Sequence, residues 1–341
     1  MTVSLAPPTD VDVVRCLAEG LRRRGEHAGV AAVDRTAYAY ATSFPLEEVV
    51  ARLDDGRTLH LILKDLTWDA LLGDARRTKP PFLYEPRRCM RTYDSILPGT
   101  GVGVACWGTL SDGRSGRHLL LLERVPGVEL WQVGDLEVWA SVARWLARFH
   151  LAFAAEGEAV GRRNPHLLRY GPELLRTWPG RALAVATARG AEENQRRSLR
   201  QVVRSYDFVV DQLTAGPQQL VHGELYPSNV LVGRARAGGS TDVWPVDWEM
   251  AGVGSSLLDL AALTSGWPGT EQDSLVDAYL EELGPATWWA DRHELTTVLD
   301  CCRLHYALQW LGWSPEWSPP AEHARDWVEE GLAVAERLGL T

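Results

Sequence analysis

The spacing of apolar residues changes near Pro126-Gly127, and this change limits the possible folds more than any other feature of the 341-residue chain. Before that point, short apolar runs end at turn signals such as Asp54-Asp55-Gly56, a pattern typical of β-strands joined in hairpins. From Asp135 onward, apolar residues recur every three or four positions, as on one face of an α-helix. We therefore predict an α+β fold with a small antiparallel-sheet lobe over residues 1–125, including a leading helix, and a larger helical lobe over residues 126–341.

The same patterns predict the individual elements of the first lobe. In chain order they are a helix over Val11–Arg24, strands over Ala37–Thr42, Glu48–Leu53 and Thr58–Lys64, a helix over Pro81–Leu97, and strands over Val102–Thr109 and His118–Val125. The second lobe is predicted to hold a helix capped by Asp135 and further helices near residues 190–213 and 294–313. A hinge is predicted near Glu123–Gly127, and ligand sites favour the cleft between two such lobes.

Composition and charge exclude several classes of protein. A formal net charge of −10 repels phosphate backbones, so no nucleic-acid partner is expected. No run approaches the roughly 18 apolar residues of a membrane span, and Met1–Asp10 lacks the pattern of an export signal, which favours the cytoplasm. The five cysteines show no metal-type spacing and are interpreted as reduced thiols, with Cys301 and Cys302 packed in a helix. The sequence carries no signal for an oligomeric state.

Two polar motifs point to phosphoryl transfer. The first is His222-Gly223-Glu224, with Asn229 five positions after the acid, and the second is Asp247 at the end of an apolar run. In such chemistry the first acid orients the attacking hydroxyl group, while an amide oxygen and a second acid hold magnesium against nucleotide phosphates. A Gly-rich run, Gly99–Gly103, precedes a strand instead of a helix, so we interpret it as a helix-ending turn.

Lysine is rare in this chain, because only Lys64 and Lys79 occur among 35 basic residues. Lys64 ends a predicted strand, where a compact ammonium group can approach phosphate oxygens that a planar guanidinium would not reach. The alternative, that one of two lysines lies there by chance, stays open. Lys79 stands beside Pro80 and Pro81 and is interpreted as a solvated loop residue.

With these motifs in this order, the chain resembles the aminoglycoside phosphotransferase and choline kinase-like family, which has the protein-kinase fold. The resemblance covers roughly residues 37–313 and is strongest over Leu220–Val232 and Val246–Ala262. It implies ATP and Mg²⁺ as cofactors and a small hydroxylated molecule as the acceptor of the phosphoryl group.

The resemblance also implies roles for residues that would bind the nucleotide. Lys64 would contact the phosphates and pair with Glu85 on the following helix, with Glu47 and Glu48 as alternative partners. The backbone from Glu123 to Val125 would meet the adenine edge. The loop Ser43-Phe44-Pro45-Leu46 has no glycine, unlike the usual phosphate loop, so the hydroxyl group of Ser43 is a candidate for phosphate contact.

The remaining roles fall on the two motifs. Asn229 and Asp247 would hold magnesium, His222 would brace the catalytic loop by hydrogen bonding, and Asp259 would anchor that loop. Glu224 stands where the family carries Asp, and its extra methylene extends the carboxylate by about 1.5 Å on ordinary carbon–carbon geometry. We expect Glu224 still to accept the substrate proton, because the other site residues are present.

Tryptophan is concentrated in the second lobe, which on the resemblance holds the acceptor pocket. Nine of the fifteen tryptophans are Trp244, Trp248, Trp267, Trp288, Trp289, Trp310, Trp313, Trp317 and Trp327. An aromatic wall could stack on a sugar, a planar ring or a cation, but core packing is the favoured interpretation for any single tryptophan.

The sequence thus favours an ATP-dependent phosphotransferase acting on an aminoglycoside, amino sugar, nucleoside or other natural product. Two alternatives remain. The protein could be a catalytically silent kinase-like binder of ligands, or a kinase fold that carries out a different biosynthetic reaction.

Overall fold

The protein consists of two compact units, here described from a computed structural model. The first unit spans Met1–Pro126 and Trp244–Glu249, and the second spans Gly127–Val243 and Met250–Thr341. The structure describes residues 6–39, 41, 43–233, 241–285, 287–317 and 325–341. The predicted α+β class is confirmed, because the first unit is built on an antiparallel sheet and the second is mostly helical.

The first unit is a five-stranded antiparallel sheet with one long helix packed on it. Its helices and strands are α1 (Asp10–Arg23), β1 (Val30–Ala37), β2 (Leu46–Leu53), β3 (Thr58–Asp65), α2 (Gly73–Thr78), α3 (Pro86–Arg91), β4 (Cys106–Asp112) and β5 (Arg117–Glu123). The strand order is β1-β2-β3-β5-β4. Lys64 therefore lies on the central strand, opposite Leu46 of β2 and Leu120 of β5.

The helix α1 begins with a capping box, in which Thr9 and Asp12 bond reciprocally to each other's backbone, a strong start signal. Its apolar face buries Val13, Cys16, Leu17 and Leu21 against β2, β3 and β5. Close contact with β4 depends on a glycine: a β-carbon at position 20 would lie 1.7 Å from the carbonyl oxygen of Trp107. The helix and strand can approach this closely only because Gly20 has no side chain.

The first strand starts earlier than its sequence indicates. We predicted a strand over Ala37–Thr42, whereas β1 runs over Val30–Ala37; Tyr40 and Thr42 lie outside the described residues. β1 pairs on one side only, with β2, and most of its residues are partly or fully exposed. Such an edge strand needs little apolar alternation, so its pattern is weak.

The predicted helix over Pro81–Leu97 is not continuous. A short 3₁₀ turn covers Pro81–Leu83, α3 begins only at Pro86, and a π-helical turn covers Thr92–Ile96. Proline favours the first position of a helix and disfavours the helical conformation of the residue before it, so Glu85 becomes the cap of α3 and not part of its body. The last two strands are also shifted, and Gly99, Gly101 and Gly103 all have positive φ, as expected for the predicted turn.

The second unit is built around long helices. They are α4 (Leu136–Phe153), α5 (Gly157–Arg163), α6 (Pro172–Ala188), α7 (Glu193–Ser205), α8 (Asp207–Ala215), α9 (Leu257–Leu263), α10 (Gly269–Leu283), α11 (Arg292–Leu311) and α12 (Trp327–Arg337). Short strands accompany them: β6 (Val128–Glu129), β7 (Leu168–Arg169), β8 (Gln218–Val221), β9 (Val230–Val232), β10 (Val243–Pro245) and β11 (Gly252–Ser255). β11 pairs with β7 and β8, and β6 pairs with β9.

Several smaller predictions concern the second unit. Asp135 caps α4 by accepting a hydrogen bond from the amide of Glu137, as predicted. The adjacent Cys301 and Cys302 are buried on α11, and all five cysteines are free thiols. Among the described residues, no helix combines the length and the hydropathy needed to cross a bilayer.

The packing at Gly20 gives the first testable prediction. We expect Gly20→Ala to lower the free energy of unfolding by about 1–3 kcal/mol, because the added methyl group overpacks the contact with β4. The matched control is Gly180→Ala, at an exposed helical glycine whose β-carbon would meet nothing within 4 Å. That change should raise stability by up to about 1 kcal/mol through helix propensity. Chemical denaturation measures both, and equal effects of the two substitutions would contradict the packing argument.

Candidate active site

The loop that follows β8 is held in place by a buried carboxylate. Asp259, on α9 and fully buried, accepts hydrogen bonds from the backbone amides of His222 at 2.7 Å and Gly223 at 2.9 Å. The Nε2 atom of His150 lies 3.4 Å from the same carboxylate, and its Nδ1 atom lies 2.9 Å from the hydroxyl group of Tyr279. A buried charge is tolerated when such donors surround it, so Asp259 fixes the start of the loop, as the resemblance implied.

Glycine is required at position 223 of this loop. Its φ is +82°, and a β-carbon there would lie 2.1 Å from the hydroxyl oxygen of Tyr170 and 2.3 Å from the carbonyl oxygen of Met250. Tyr306 donates a hydrogen bond of 2.9 Å to the Gly223 carbonyl oxygen. The backbone at position 223 is therefore fixed by steric limits and by hydrogen bonds to both its N–H group and its carbonyl oxygen. Glu224 is attached to this fixed backbone.

Two predicted site residues complete the loop by bonding to Glu224. The Nδ1 atom of His222 accepts a hydrogen bond of 3.3 Å from the Glu224 amide, and the Nδ2 atom of Asn229 donates one of 2.9 Å to the Glu224 carbonyl oxygen. His222 thus makes a hydrogen bond within the loop, and its role as a brace of a catalytic loop stays a prediction. Because the amide nitrogen of Asn229 is committed to this bond, its Oδ1 atom is the one left to face a cation.

In the first unit, Lys64 and Asp247 meet although they lie 183 residues apart in the chain. The Nζ atom of Lys64 is 2.7 Å from Oδ1 of Asp247 and 2.9 Å from Oε1 of Glu249. Burial by itself would lower the pKa of Lys64, but the charges of Asp247 and Glu249 outweigh it and raise that pKa well above its usual value. Asp247 has a φ of +64°, a left-handed conformation that non-glycine residues adopt mainly at constrained or functional positions.

Lys79 belongs to the same cluster, so its interpretation as a solvated loop residue is wrong. It follows α2, its side chain is 11% exposed, and its ammonium group forms an ion pair with Oε2 of Glu249. Burial would raise the pKa of Glu249, but Lys64 and Lys79 together hold it well below its usual value. Both ammonium groups also lie near the ring of Phe44, at 5.7 and 5.4 Å from its centroid. The rarity of lysine in the sequence could have indicated that Lys79 is buried, but the adjacent prolines favoured its interpretation as a loop residue.

Glu85 does not make the predicted pair with Lys64. Its side chain accepts a hydrogen bond of 3.1 Å from the amide of Arg87 and caps α3, because the helix begins one residue later, at Pro86. Among the described residues, the carboxylates paired with Lys64 are those of Asp247 and Glu249. Glu249 is thus a residue of this cluster that the sequence analysis did not identify.

The predicted adenine-binding backbone is partly used by the sheet. The amide of Glu123 donates a hydrogen bond of 2.8 Å to the carbonyl oxygen of Ala105. The amide of Arg124 donates one of 2.9 Å to the carbonyl oxygen of His60. Within the described residues, Val125 makes no such backbone bond, so its N–H is the donor that remains for a base edge. Ser43 lies between β1 and β2, and its carbonyl oxygen accepts a bond of 3.0 Å from the Leu72 amide.

The predicted magnesium ligands have suitable chemistry. Mg²⁺ prefers carboxylate and carbonyl oxygens together with water and phosphate oxygens. Asn229 Oδ1 and the carboxylate of Asp247 are such atoms, and Asp247 already holds one cation, the Lys64 ammonium group, at 2.7 Å. No group of three His, Cys, Asp or Glu side chains suited to a metal occurs in the part of the chain that the structure describes.

An aromatic cluster adjoins the loop of the second unit. The indole of Trp310 donates a hydrogen bond to the hydroxyl group of Tyr226, two residues after Glu224. Trp310 also stacks on Trp317 at 5.0 Å and on Trp327 at 6.4 Å between ring centroids. These rings are half-buried, whereas Trp178 and Trp248 are fully buried. The core-packing interpretation therefore holds for the buried tryptophans, and stacking on a ligand stays a prediction for the half-buried ones.

Several solved structures, among them kinases of small molecules, are similar to this chain in fold. The choline kinase LicA from Streptococcus pneumoniae is 16% identical with a TM-score of 0.52, over 95% of this chain and 97% of that one. An ethanolamine kinase from Plasmodium vivax is 12% identical with a TM-score of 0.53, over 90% of this chain and 81% of that one. Wild-type aminoglycoside 2'-phosphotransferase-IIIa is 13% identical with a TM-score of 0.53, over 94% and 96% of the two chains.

Direct sequence comparison with curated proteins finds no match. Residues 47–295 do match the phosphotransferase enzyme family known as APH. This match spans well over half of the 341 residues and includes both motifs, Lys64 and Asp259. The predicted fold is confirmed, and the chain belongs to the APH family of phosphotransferase enzymes.

Proposed function

We propose that this protein is an ATP- and Mg²⁺-dependent phosphotransferase that moves the γ-phosphoryl group to a hydroxyl group of a small molecule. The observation that carries the proposal is the 2.7 Å contact between Lys64 and Asp247. It joins two residues that separate sequence features identified, Lys64 for phosphate contact and Asp247 for metal binding. Membership of a phosphotransferase family supports the same chemistry.

The catalytic step would be a proton transfer coupled to attack on phosphorus. Glu224 accepts the proton of the acceptor hydroxyl group, the hydroxyl oxygen forms a bond to the γ-phosphorus, and the bond from that phosphorus to the β–γ bridging oxygen breaks to release ADP. Lys64 would neutralise charge on the phosphates, and Asn229 and Asp247 would hold the metal ion. When bound, magnesium would offset the negative charge of the triphosphate.

Nucleotide binding has support beyond the residues themselves. Solved relatives have been described in complex with GDP and with AMP. In this chain we propose three nucleotide contacts: the ammonium group of Lys64, the hydroxyl group of Ser43 and the backbone N–H of Val125. The rest of the Glu123–Val125 segment would form the wall beside the base.

The acceptor is proposed to be an aminoglycoside, amino sugar, nucleoside or other natural product. Structural relatives bear names for aminoglycoside, choline, ethanolamine and aminopropanol substrates, which share a hydroxyl group near a nitrogen. The half-buried rings of Tyr226, Trp310 and Trp317 lie next to the loop that carries Glu224. Aromatic faces of this kind suit sugars, planar rings and cations.

A catalytically silent nucleotide-binding protein is the second candidate. It is favoured by two observations, the presence of Glu224 in place of the family's Asp and the glycine-free Ser43–Leu46 loop. Incubation with ATP, magnesium and a library of hydroxylated metabolites separates the two candidates. ADP with a phosphorylated product supports the phosphotransferase, whereas a nucleotide-induced rise in melting temperature without product supports the silent protein.

Glu224→Gln tests the role of the proposed base. We expect kcat to fall about 10²- to 10⁴-fold, the usual contribution of a general base, while the dissociation constant for ATP stays within about twofold of the wild type, because the amide keeps the shape of the carboxylate. Product formation and calorimetry measure the two quantities. Glu158→Gln, at an exposed helical site, serves as the control. Unchanged turnover in Glu224→Gln would remove Glu224 from the mechanism.

Asp259→Asn tests how the loop is anchored. The asparagine side chain has one oxygen where the carboxylate has two. The backbone N–H group of either His222 or Gly223 therefore loses its acceptor. We expect the free energy of unfolding to fall by about 1–3 kcal/mol, with a loss of turnover greater than the loss of ATP affinity. Asp211→Asn, on an exposed position of α8, is the control. A variant as stable and active as the wild type would show that the loop does not depend on this carboxylate.

A further inference from the structure

We propose that Lys79 is a positioning residue of the nucleotide site, which holds Glu249 in place as the carboxylate partner of Lys64. This inference rests on the proposed function, because it assigns Lys64 to nucleotide phosphates. It assigns roles to Lys79 and Glu249 that neither the sequence motifs nor the resemblance gave them.

The carboxylate of Glu249 is divided between the only two lysines of the chain. Its Oε1 atom lies 2.9 Å from Lys64 Nζ, and its Oε2 atom bonds to Lys79 Nζ. The side chains of the three residues are between 10% and 13% exposed. With one oxygen committed to Lys79, the carboxylate cannot rotate freely, so the other oxygen stays directed at Lys64.

The backbone of Glu249 is fixed as well. Arg88, a buried residue of α3, donates hydrogen bonds of 2.6 Å to the carbonyl oxygen of Glu249 and 2.9 Å to that of Leu83. The helix that was expected to present Glu85 to Lys64 therefore holds the backbone of Glu249 instead. Glu249 then supplies the charge that keeps the Lys64 ammonium group in place when Asp247 is engaged by a cation.

Phe44 connects the same cluster to the loop before β2. Its ring centroid lies 5.7 Å from Lys64 Nζ and 5.4 Å from Lys79 Nζ, distances at which an ammonium group is attracted to an aromatic face. The loop has no glycine, so its backbone cannot wrap phosphates as a glycine-rich loop does. Contact of the Phe44 ring with two ammonium groups is a different means of fixing the loop, and one of these contacts depends on Lys79.

The chemical class of the ligand is a nucleoside triphosphate, contacted through Lys64. Lys79 is bonded to Glu249 and would act on that ligand through Glu249, not by touching it. An alternative role for Lys79, direct contact with phosphate, predicts a different combination of mutant effects and can be distinguished by measurement.

A double-mutant cycle on ATP affinity tests the inference. Lys79→Met removes the charge and keeps the stem, and Glu249→Gln removes the partner. We expect each change to raise the dissociation constant for ATP about tenfold, the effect of one lost charge-assisted hydrogen bond. In the double variant the dissociation constant for ATP should also rise about tenfold and not a hundredfold, because both changes break the same contact. Lys79→Arg should restore most of the affinity.

The controls separate position from net charge and from folding. Arg77→Met removes a positive charge from α2 at a side chain that is 63% exposed, and it should leave ATP affinity within about twofold of the wild type. Melting temperatures identify any variant that fails to fold. If Lys79→Met does not fold, the dissociation constants for ATP of Lys79→Gln and Lys79→Arg are compared instead. A hundredfold loss in the double variant, or no loss in Lys79→Met, would overturn the inference.

Product formation is scored separately, so the two proposals fail in different ways. A wild-type protein that binds ATP in this pattern without transferring phosphate overturns the proposed function and leaves the role of Lys79 intact. A wild-type protein that transfers phosphate while the effects of Lys79→Met and Glu249→Gln multiply retains the function and overturns the role of Lys79. A wild-type protein that does not bind ATP overturns both.

Discussion

The buried carboxylate of Glu249, shared between Lys64 and Lys79, is the interaction on which the charged cluster of the first unit depends. An isolated buried charge is costly, and removal of one partner from such a pair leaves the other uncompensated. Here two ammonium groups and two carboxylates, with Asp247 as the fourth group, balance one another. Their mutual attraction fixes β3, the end of α2 and the Trp244–Glu249 segment at a single point, although these segments are far apart in sequence.

The second unit uses neutral backbone donors to place its functional loop. The carboxylate of Asp259 is satisfied by the amides of His222 and Gly223, and Tyr306 holds the Gly223 carbonyl oxygen. Because these bonds act on the backbone, they constrain where residue 224 begins but not how far its side chain reaches. An acid one methylene longer than the family's Asp can therefore be accepted without a change in the loop itself.

Elements with strong local signals were predicted well. The capped, amphipathic α1 and the central strand β3 lie close to their predicted bounds, and α4 begins directly after its predicted cap, Asp135. The predicted bounds of the edge strand β1 are wrong, because one-sided pairing imposes little apolar pattern on it. The predicted helix before Leu97 is too long, because Pro86 starts a separate helix within that segment. The burial of Lys79 was missed because its partner, Glu249, lies 170 residues away, and local sequence contains no information about such a contact.

The sequence by itself determined the α+β class, the family and the residue types of the site, because spacing and motif order are properties of the chain that persist through folding. Only the tertiary structure decided which charges meet: that Lys64 pairs with Glu249 and not with Glu85, and that Lys79 is buried in the same cluster. The physical reason is that ion pairs depend on distances of about 3–4 Å in space, and those distances are set by how separate segments pack together.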